Sequence, residues 1–452
     1  MNWKIITWYI GISLVFVALL MGVAGIVACF TPGDGSRMPL LYSAFITGIT
    51  GFYPLIFVRK GRQPLSFREG NCIVVVAWIF ACLFGMLPFL LYGHEFTLVN
   101  ALFESVSGFT TTGASILNDI EALPRGLQLW RISTAWVGGI GIVTLFSMLI
   151  RERLDKSTLS GAEISSVARE PFAGERSNSF ARRMLATYVA LTGATFILLM
   201  FTGMGWFDAL TNAMSACSTC GFCTRNTSIA YYANPAAEII LTVAMIAAGI
   251  NFGILFLAIL RGRPRFFVKS ETIKVFLSLL AIATTTGFAA KDTTLWPPLS
   301  MAMLILCSLI CGCSGSTSGG IKIDRAILAA KGIHRKVGLT VAPNAVKNIR
   351  VDGRAKPDSQ ISDAYGYIFC YLLVVVVFAA VNLAVGVDFT TSVTASIACI
   401  GNVGPGFGEV GSMANYAAFP AFLKVTSLLE MMIGRLEIFP VLYLFRSFWM
   451  AR

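Results

Sequence analysis

Apolar runs of about 20 residues recur along this 452-residue chain, each long enough to cross a hydrocarbon core as a helix. They fall at 8–30, 38–58, 71–92, 128–150, 181–203, 233–260, 271–290, 319–348, 362–387 and 418–446. Four shorter apolar stretches, 99–109, 207–216, 298–312 and 389–400, are too short to cross and suit re-entrant helices. Each precedes a glycine-bearing loop, and the unit of span, short helix, loop and span occurs four times. Repetition of this kind outweighs any single motif. The pattern predicts an all-α integral membrane protein with four span–pore-helix–span repeats in one chain and two extra N-terminal transmembrane helices. The boundaries are 1–70 for the N-terminal pair, then 71–160, 161–268, 269–357 and 358–452 for repeats one to four.

Charge fixes the expected orientation. Lys and Arg gather in the linkers Arg59–Arg68, Arg151–Arg183, Arg261–Lys274 and Lys322–Lys356, which the positive-inside bias places in the cytoplasm. Both termini then fall on that side, and the four glycine loops lie outside. The net charge of +12 reads as this bias and not as a nucleic-acid surface. Only 13% of residues are charged, against about 25% in a soluble domain, and mean hydropathy is +0.75. The first run is too long for a signal-peptide core. Eleven cysteines lie mostly in apolar segments without secreted-type spacing, so reduced thiols are expected. Two histidines give no basis for a histidine metal site. Scattered carboxylates form no catalytic cluster, which argues against a membrane-embedded enzyme, and no G-x-x-x-x-G-K-[ST] phosphate loop is present.

The four loops are 110–114 (Thr110-Thr111-Thr112-Gly113-Ala114), 218–222 (Ser218-Thr219-Cys220-Gly221-Phe222), 313–318 (with Ser314-Gly315-Ser316) and 402–406 (Asn402-Val403-Gly404-Pro405-Gly406). At bilayer depth, non-helical backbone is tolerated only inside protein or along a water-filled path. Backbone on such a path offers carbonyl oxygens, and a ring of them can replace the hydration shell of a potassium ion. The required backbone shapes are cheap for glycine. Gly113, Gly221, Gly315 and Gly404 are the expected ring, flanked by Thr111, Thr112, Thr219, Cys220, Ser314, Ser316, Asn402 and Val403. Any one loop alone reads as a turn or close packing; four in register favour an ion filter. Each short helix would aim its negative C-terminal end, roughly half an elementary charge, at the ion. The glycines of Gly138-Gly139-Ile140-Gly141 lack that context and are expected to pack helices.

Arg435 sits deep in the last apolar run. A charge there costs about 2.5–3.5 kcal/mol on insertion scales and should face a cavity or a partner. The expectation is an electrostatic gate below the filter, the alternative being an ion pair with Glu430 or Glu437. Glu104, Asp208 and Asp388 lie in or at the short helices; Asp208 and Asp388 are expected to act as N-caps, and Asp119, Glu121 and Glu409 as surface acids at the mouth. Gly332, Gly338 and Pro343 argue against a continuous helix across 319–348.

At these residues the chain resembles the membrane subunit of Trk-type potassium uptake systems, within the Trk/Ktr/HKT superfamily. The matches are Thr111-Thr112-Gly113-Ala114, Gly315-Ser316-Thr317 with Gly319-Gly320-Ile321-Lys322, and Asn402-Val403-Gly404-Pro405-Gly406. Trp136-Val137-Gly138-Gly139-Ile140-Gly141, Pro343-Asn344-Ala345-Val346 and Gly434-Arg435-Leu436-Glu437 extend them. The resemblance implies K+ as the transported ion, with no bound organic cofactor, and location in a bacterial inner membrane. It also implies a pseudo-fourfold pore in each chain, a homodimer in membrane lipid, a cytosolic NAD- or ATP-type nucleotide-binding regulatory subunit, and symport within its range. It implies an intramembrane gate loop in the third repeat, placed by position at about 332–343 with Gly332, Lys336 and Gly338, facing Arg435. Cys220 and Cys223 stand where small or hydroxyl residues are expected, and Ala342 where related chains often have His. Sodium-favouring members carry serine in the first loop, and Gly113 argues against that branch.

Overall fold

The computed structural model describes residues 3–58, 67–153, 177–259, 270–279, 287–288, 293–342, 348–352 and 354–442. Pro343, Arg446, Arg452 and most of the first three basic linkers lie outside the described residues. Apart from a two-stranded antiparallel turn, β1 (Arg350–Val351) with β2 (Arg354–Ala355), and short 3-10 turns, the described elements are α-helices.

The N-terminal pair is α1 (Trp3–Phe30) and α2 (Arg37–Phe57). Small residues let their backbones touch: a Cβ on Gly11 would sit 2.7 Å from the Gly51 carbonyl, and one on Gly51 would sit 2.8 Å from the Val15 amide. Lipid supplies no hydrophobic drive between helices, so such close van der Waals packing must hold the pair. The turn between them is tied down by Asp34, whose carboxylate accepts from the Ser36 amide and from the Gly126 amide at 2.9 Å.

In the stretch expected as repeat one stand α3 (Phe67–Gly85), which begins four residues before it, the short α4 (Leu87–Tyr92), α5 (Leu98–Phe109) and α6 (Arg125–Arg153). In that expected as repeat two stand α7 (Ser177–Phe201), α8 (Trp206–Ser218), and a final helical stretch broken at Ile250-Asn251 into α9 (Pro235–Gly249) and α10 (Phe252–Ile259). Then come α11 (Glu271–Leu279, its last described residue), α12 (Pro298–Ile310) and α13 (Ile323–Val341). In that expected as repeat four stand α14 (Asp358–Val385), α15 (Phe389–Gly401) and α16 (Ala421–Leu436). Five described helical stretches are long and apolar enough to cross a membrane: Trp3–Phe30, Arg37–Phe57, Glu69–Tyr92, Arg182–Phe201 and Asp358–Val385.

Three of the four short apolar stretches become buried helices, α5, α8 and α15, each packed against the long helices of its repeat. Their N-termini differ. Thr97 caps α5 and Asp388 caps α15 through their side chains. Gly205 starts α8 instead of Asp208, whose carboxylate takes the Thr224 hydroxyl at 2.8 Å and Arg225 at 3.3 Å.

Two expectations for the third repeat are corrected. Stretch 319–348 is not an apolar span: α13 is one continuous helix through Gly332 and Gly338, with Lys336 exposed and Arg335 bonded to Asp358. Gly332 is buried because the Tyr365 ring and Ile361 occupy the space a side chain would need, so close packing and not a break explains that glycine. The gate loop placed at 332–343 is therefore helical as far as Val341. Among the described residues, an irregular segment lies earlier, at 311–322, between α12 and α13.

Gly51→Leu should force α1 and α2 apart. Overpacking of this kind costs about 1–3 kcal/mol, which is expected as a lower unfolding temperature in detergent; an unchanged transition would show that the pair has slack.

Candidate functional site

α5, α8 and α15 end alike. Thr111 N donates to Gly108 O and Thr112 N to Ser107 O; Thr219 N donates to Ala216 O and Cys220 N to Ser215 O; Asn402 N donates to Cys399 O and Val403 N to Ala398 O. These paired bonds, three and five residues back, form the Schellman closure, which needs a left-handed residue at its turn. That residue is Thr111, Thr219 or Asn402, with φ of 53°, 54° and 53°. Two residues on stand Gly113, Gly221 and Gly404, with φ of 80°, 85° and 91°.

The same three loops meet. A Cβ placed on Gly113 would strike the Cys220 carbonyl oxygen, and one on Gly404 would strike that of Thr112. Each glycine thus abuts the carbonyl just before the next glycine. Gly287, with φ of 70°, continues the relation: its Cβ would lie 2.7 Å from the Val403 carbonyl oxygen. Gly113, Gly221, Gly287 and Gly404 all line one open cavity of about 160 Å³, rimmed by Asn118, Arg225, Asn226 and Asn415.

The third loop is therefore corrected. Ser314, Gly315 and Ser316 do not line this cavity. α12 ends at Cys311 in a different conformation, φ 60° and ψ −150°, without the paired closure. Gly315 instead lies against Asn251, which donates to Ser314 O at 2.7 Å, while Gly315 O accepts from Phe252 N. The fourth glycine on the cavity is Gly287, inside the apolar run 271–290 that length alone assigns to a span. Its signal was Thr284-Thr285-Thr286-Gly287, a repeat of Thr110-Thr111-Thr112-Gly113.

Segment 311–322 crosses beneath the ring. Thr317 Oγ1 lies 3.2 Å from Thr219 Oγ1 and 3.3 Å from Cys217 O. A Cβ on Gly319 would strike Gly401 O. Arg435, 3% exposed, donates to Thr317 O at 2.6 Å and to Gly138 O at 2.9 Å. No carboxylate lies within ion-pair distance of it among the described residues, so pairing with Glu430 or Glu437 is not what holds it. Glu437 pairs with Arg325 at 2.9 Å, and Glu430 accepts from Ser396. A second buried cation, Lys322, donates to Ser318 O in the same segment. The Gly138 and Gly139 positions do pack helices, against Phe109 O and against Ser218 and Tyr188.

Behind the ring, Glu104 and Arg131 form a fully buried ion pair. Glu104 also accepts from Ser115 Oγ at 3.0 Å and Ile116 N at 3.1 Å. Arg131 donates to Cys223 O and stacks 3.5 Å from the centre of the Phe222 ring. The pair thus fastens the first loop to the second. At the rim, Asp119 bonds Asn226 at 2.8 Å, which holds its carboxyl below the usual range, and Glu121 pairs with Arg225.

The family model described as TrkH, cation transport protein, matches residues 36–282 and 268–449, two stretches that overlap at 268–282. The Trk system potassium uptake protein TrkH of Salmonella typhimurium is 30% identical over 486 residues, covering 99% of this chain and all of that protein. Set against 452 residues, those 486 aligned positions leave at least 34 without a counterpart here. TrkG of Escherichia coli is 28% identical over 86% of this chain and 87% of its own. The crystal structure of the potassium transporter TrkH from Vibrio parahaemolyticus superposes with a TM-score of 0.87 at 27% identity, over 98% of each chain. The chain is a multi-pass membrane protein of a transporter family, not an enzyme family: it belongs to the TrkH family of cation transport proteins.

Proposed function

We propose that this chain takes up potassium ions through the ring formed by Gly113, Gly221, Gly287 and Gly404. The observation that carries this reading is the series of contacts, glycine to preceding carbonyl, that runs from Gly287 to Val403, Gly404 to Thr112 and Gly113 to Cys220. Left-handed glycines on a shared cavity can turn successive carbonyls inward, as dehydration of K+ requires. Thr111 Oγ1 and Asn402 Oδ1 are buried beside the ring without a hydrogen-bond partner. An orphaned buried acceptor costs about 1–3 kcal/mol, and a cation would relieve it. Relatives named as Trk potassium uptake proteins support K+ over Na+ as the ion, as does glycine at position 113.

Segment 311–322 and Arg435 serve as the gate in this reading, in place of 332–343. Arg435 and Lys322 put two positive charges beneath the ring, and their bonds to Thr317 and Ser318 hold the segment across the path. Entry is driven by the membrane potential, about 2.3 kcal/mol per charge at 100 mV. A homodimer and a docked cytosolic nucleotide-binding subunit complete the proposal; α13 presents the exposed His334 and Lys336 on the side assigned to the cytoplasm.

Growth of a potassium-uptake-deficient cell at low potassium should be rescued by the full chain, and Gly113→Ser should raise the potassium requirement at least about tenfold. Rescue by the variant at wild-type potassium would sink the ring as the filter. Arg435→Ala should increase basal Rb+ flux in proteoliposomes by several-fold, whereas equal or lower flux removes Arg435 from the gate. Glu104→Gln leaves Arg131 buried without its partner, a loss of about 3–5 kcal/mol. The unfolding temperature should drop and Rb+ uptake should fall with it. The double variant Glu104→Gln/Arg131→Met should recover stability but not uptake, and a single variant as stable as wild type would refute the brace.

A further inference from the structure

Segment 311–322 is a loop with a pinched base. Ile321 N donates to Leu309 O at 3.0 Å, Lys322 N to Ile310 O at 2.9 Å and Ile323 N to Gly312 O at 3.1 Å. The two ends thus run side by side, and 313–320 project from them as a flap, in the manner of a compact Ω-loop. The base is strained on both sides. Cys311 has φ 60° and Lys322 φ 76°, a region in which a bulky L-residue is an outlier. Such strain persists only where the surroundings impose it, and it collects at switch regions.

Two side chains of opposite charge pin the flap, and they stand two residues apart. Asp324, 8% exposed, accepts from Ser314 N at 2.9 Å through Oδ2, while its Oδ1 is buried without a partner. Lys322, equally buried, donates through Nζ to Ser318 O. Among the described residues neither takes part in an ion pair. Each charge is therefore buried and committed to one main-chain group of the flap. A buried charge without a counter-charge is costly, yet a counter-charge for each is near. Two residues of chain span at most about 7 Å, within the sweep of the long, flexible lysine stem. Asp324 is not free to follow the flap. Its neighbour Arg325 is bonded to Glu437 at 2.9 Å, and the Arg325 guanidinium lies 3.8 Å from the centre of the Tyr367 ring.

We propose that Asp324 is a positioning residue of the gate: with the flap across the path it holds Ser314, and when the flap leaves it receives Lys322. The inference rests on the transport reading above, with 311–322 as the gate, and adds how that gate opens. Withdrawal of the flap strips Lys322 of Ser318 O and Asp324 of Ser314 N. Pairing replaces both lost bonds at once. A change of φ at Lys322 turns its side chain from one partner to the other and ends the strain there. Arg435 pins the same flap through Thr317 O but gains no such partner, because Glu437 is bonded to Arg325 and Glu430 to Ser396. The latch therefore belongs to Lys322 and Asp324.

The test is Rb+ uptake by the full chain in proteoliposomes. Asp324→Asn keeps an acceptor for Ser314 N but cannot neutralise Lys322, so uptake should fall at least about fivefold, and Asp324→Glu should retain most of it. Lys322→Met unpins the flap and should keep measurable uptake. Adding Asp324→Asn to Lys322→Met should lower uptake no further, because no cation is left to receive. Three results overturn the latch while leaving transport intact: wild-type uptake by Asp324→Asn, loss of uptake in Lys322→Met alone, or an equal fall on adding Asp324→Asn in both backgrounds, as a role in folding alone would give. Absence of Rb+ uptake by the unmodified chain defeats the transport reading itself, and this inference with it.

Discussion

The structure depends on a backbone conformation that its residues do not favour. Thr111 and Thr219 are β-branched and occupy the left-handed region, where an L-residue pays roughly 1–2 kcal/mol. Glycine at either position would relax that strain, yet the threonine side chains are placed with purpose. Thr219 Oγ1 reaches Thr317 in the segment below, while Thr112 Oγ1 accepts from the Asn402 amide of the fourth loop at 3.0 Å. Strained conformations persist where surroundings over-determine them. Here the surroundings are the Schellman closures to which these residues belong, the carbonyls of the neighbouring loops, and Gly138, Gly319 and Gly434 packed against the carbonyls of Phe109, Gly401 and Ile400.

Electrostatics divides the site into two halves. On the ring's flank, Glu104 and Arg131 neutralise one another away from water and turn their remaining polar atoms onto loop backbone. Their contribution is shape: a buried pair with satisfied hydrogen bonds fixes geometry more than it adds stability. Beneath the ring the balance is different. Arg435 is bonded only by main-chain carbonyls, through its two terminal nitrogens, and its Nε is buried without a partner, so its charge is retained and not cancelled. The acids that could have neutralised it are committed elsewhere, Glu437 to Arg325 and Glu430 to Ser396.

Much of this was legible in the chain. Apolar run lengths identified the helical membrane fold and the three buried helices α5, α8 and α15, and the glycine that follows each of them. The third quarter was misread because two cues disagreed. The run 298–312 looks like a pore helix followed by a glycine loop, and Gly315 sits where a ring glycine would. What separates it from the others is the C-terminal closure of α12, where Cys311 has φ 60° but ψ −150° and bonds back to Cys307 O without the paired Schellman closure. Hydropathy carries no trace of that. Gly287 was hidden for the opposite reason: its threonines lie in an apolar stretch that length alone assigns to a span. Gly332 and Gly338 suggested a break by the usual helix penalty of about 1 kcal/mol each, but the Tyr365 ring over Gly332 supplies a packing reason that only coordinates reveal.

The neighbours of the glycine-rich segment 311–322, to which the proposal gives the gate, account for the density of its glycines. Gly312, Gly315, Gly319 and Gly320 each face a different neighbour: Ser318 and Gly249, Asn251, Gly401, and Cys311. A side chain at any of them would push the segment away from the second repeat, the fourth repeat or its own start. The run is thus shaped to lie flat between α9 and the end of α15, with Thr317 O turned to Arg435. An ion-coordinating loop needs one left-handed glycine per corner, whereas a segment wedged across the axis needs bare backbone along its length. The proposed filter loops carry one left-handed glycine each, at 113, 221, 287 and 404, whereas the segment 312–320 carries four glycines in nine residues.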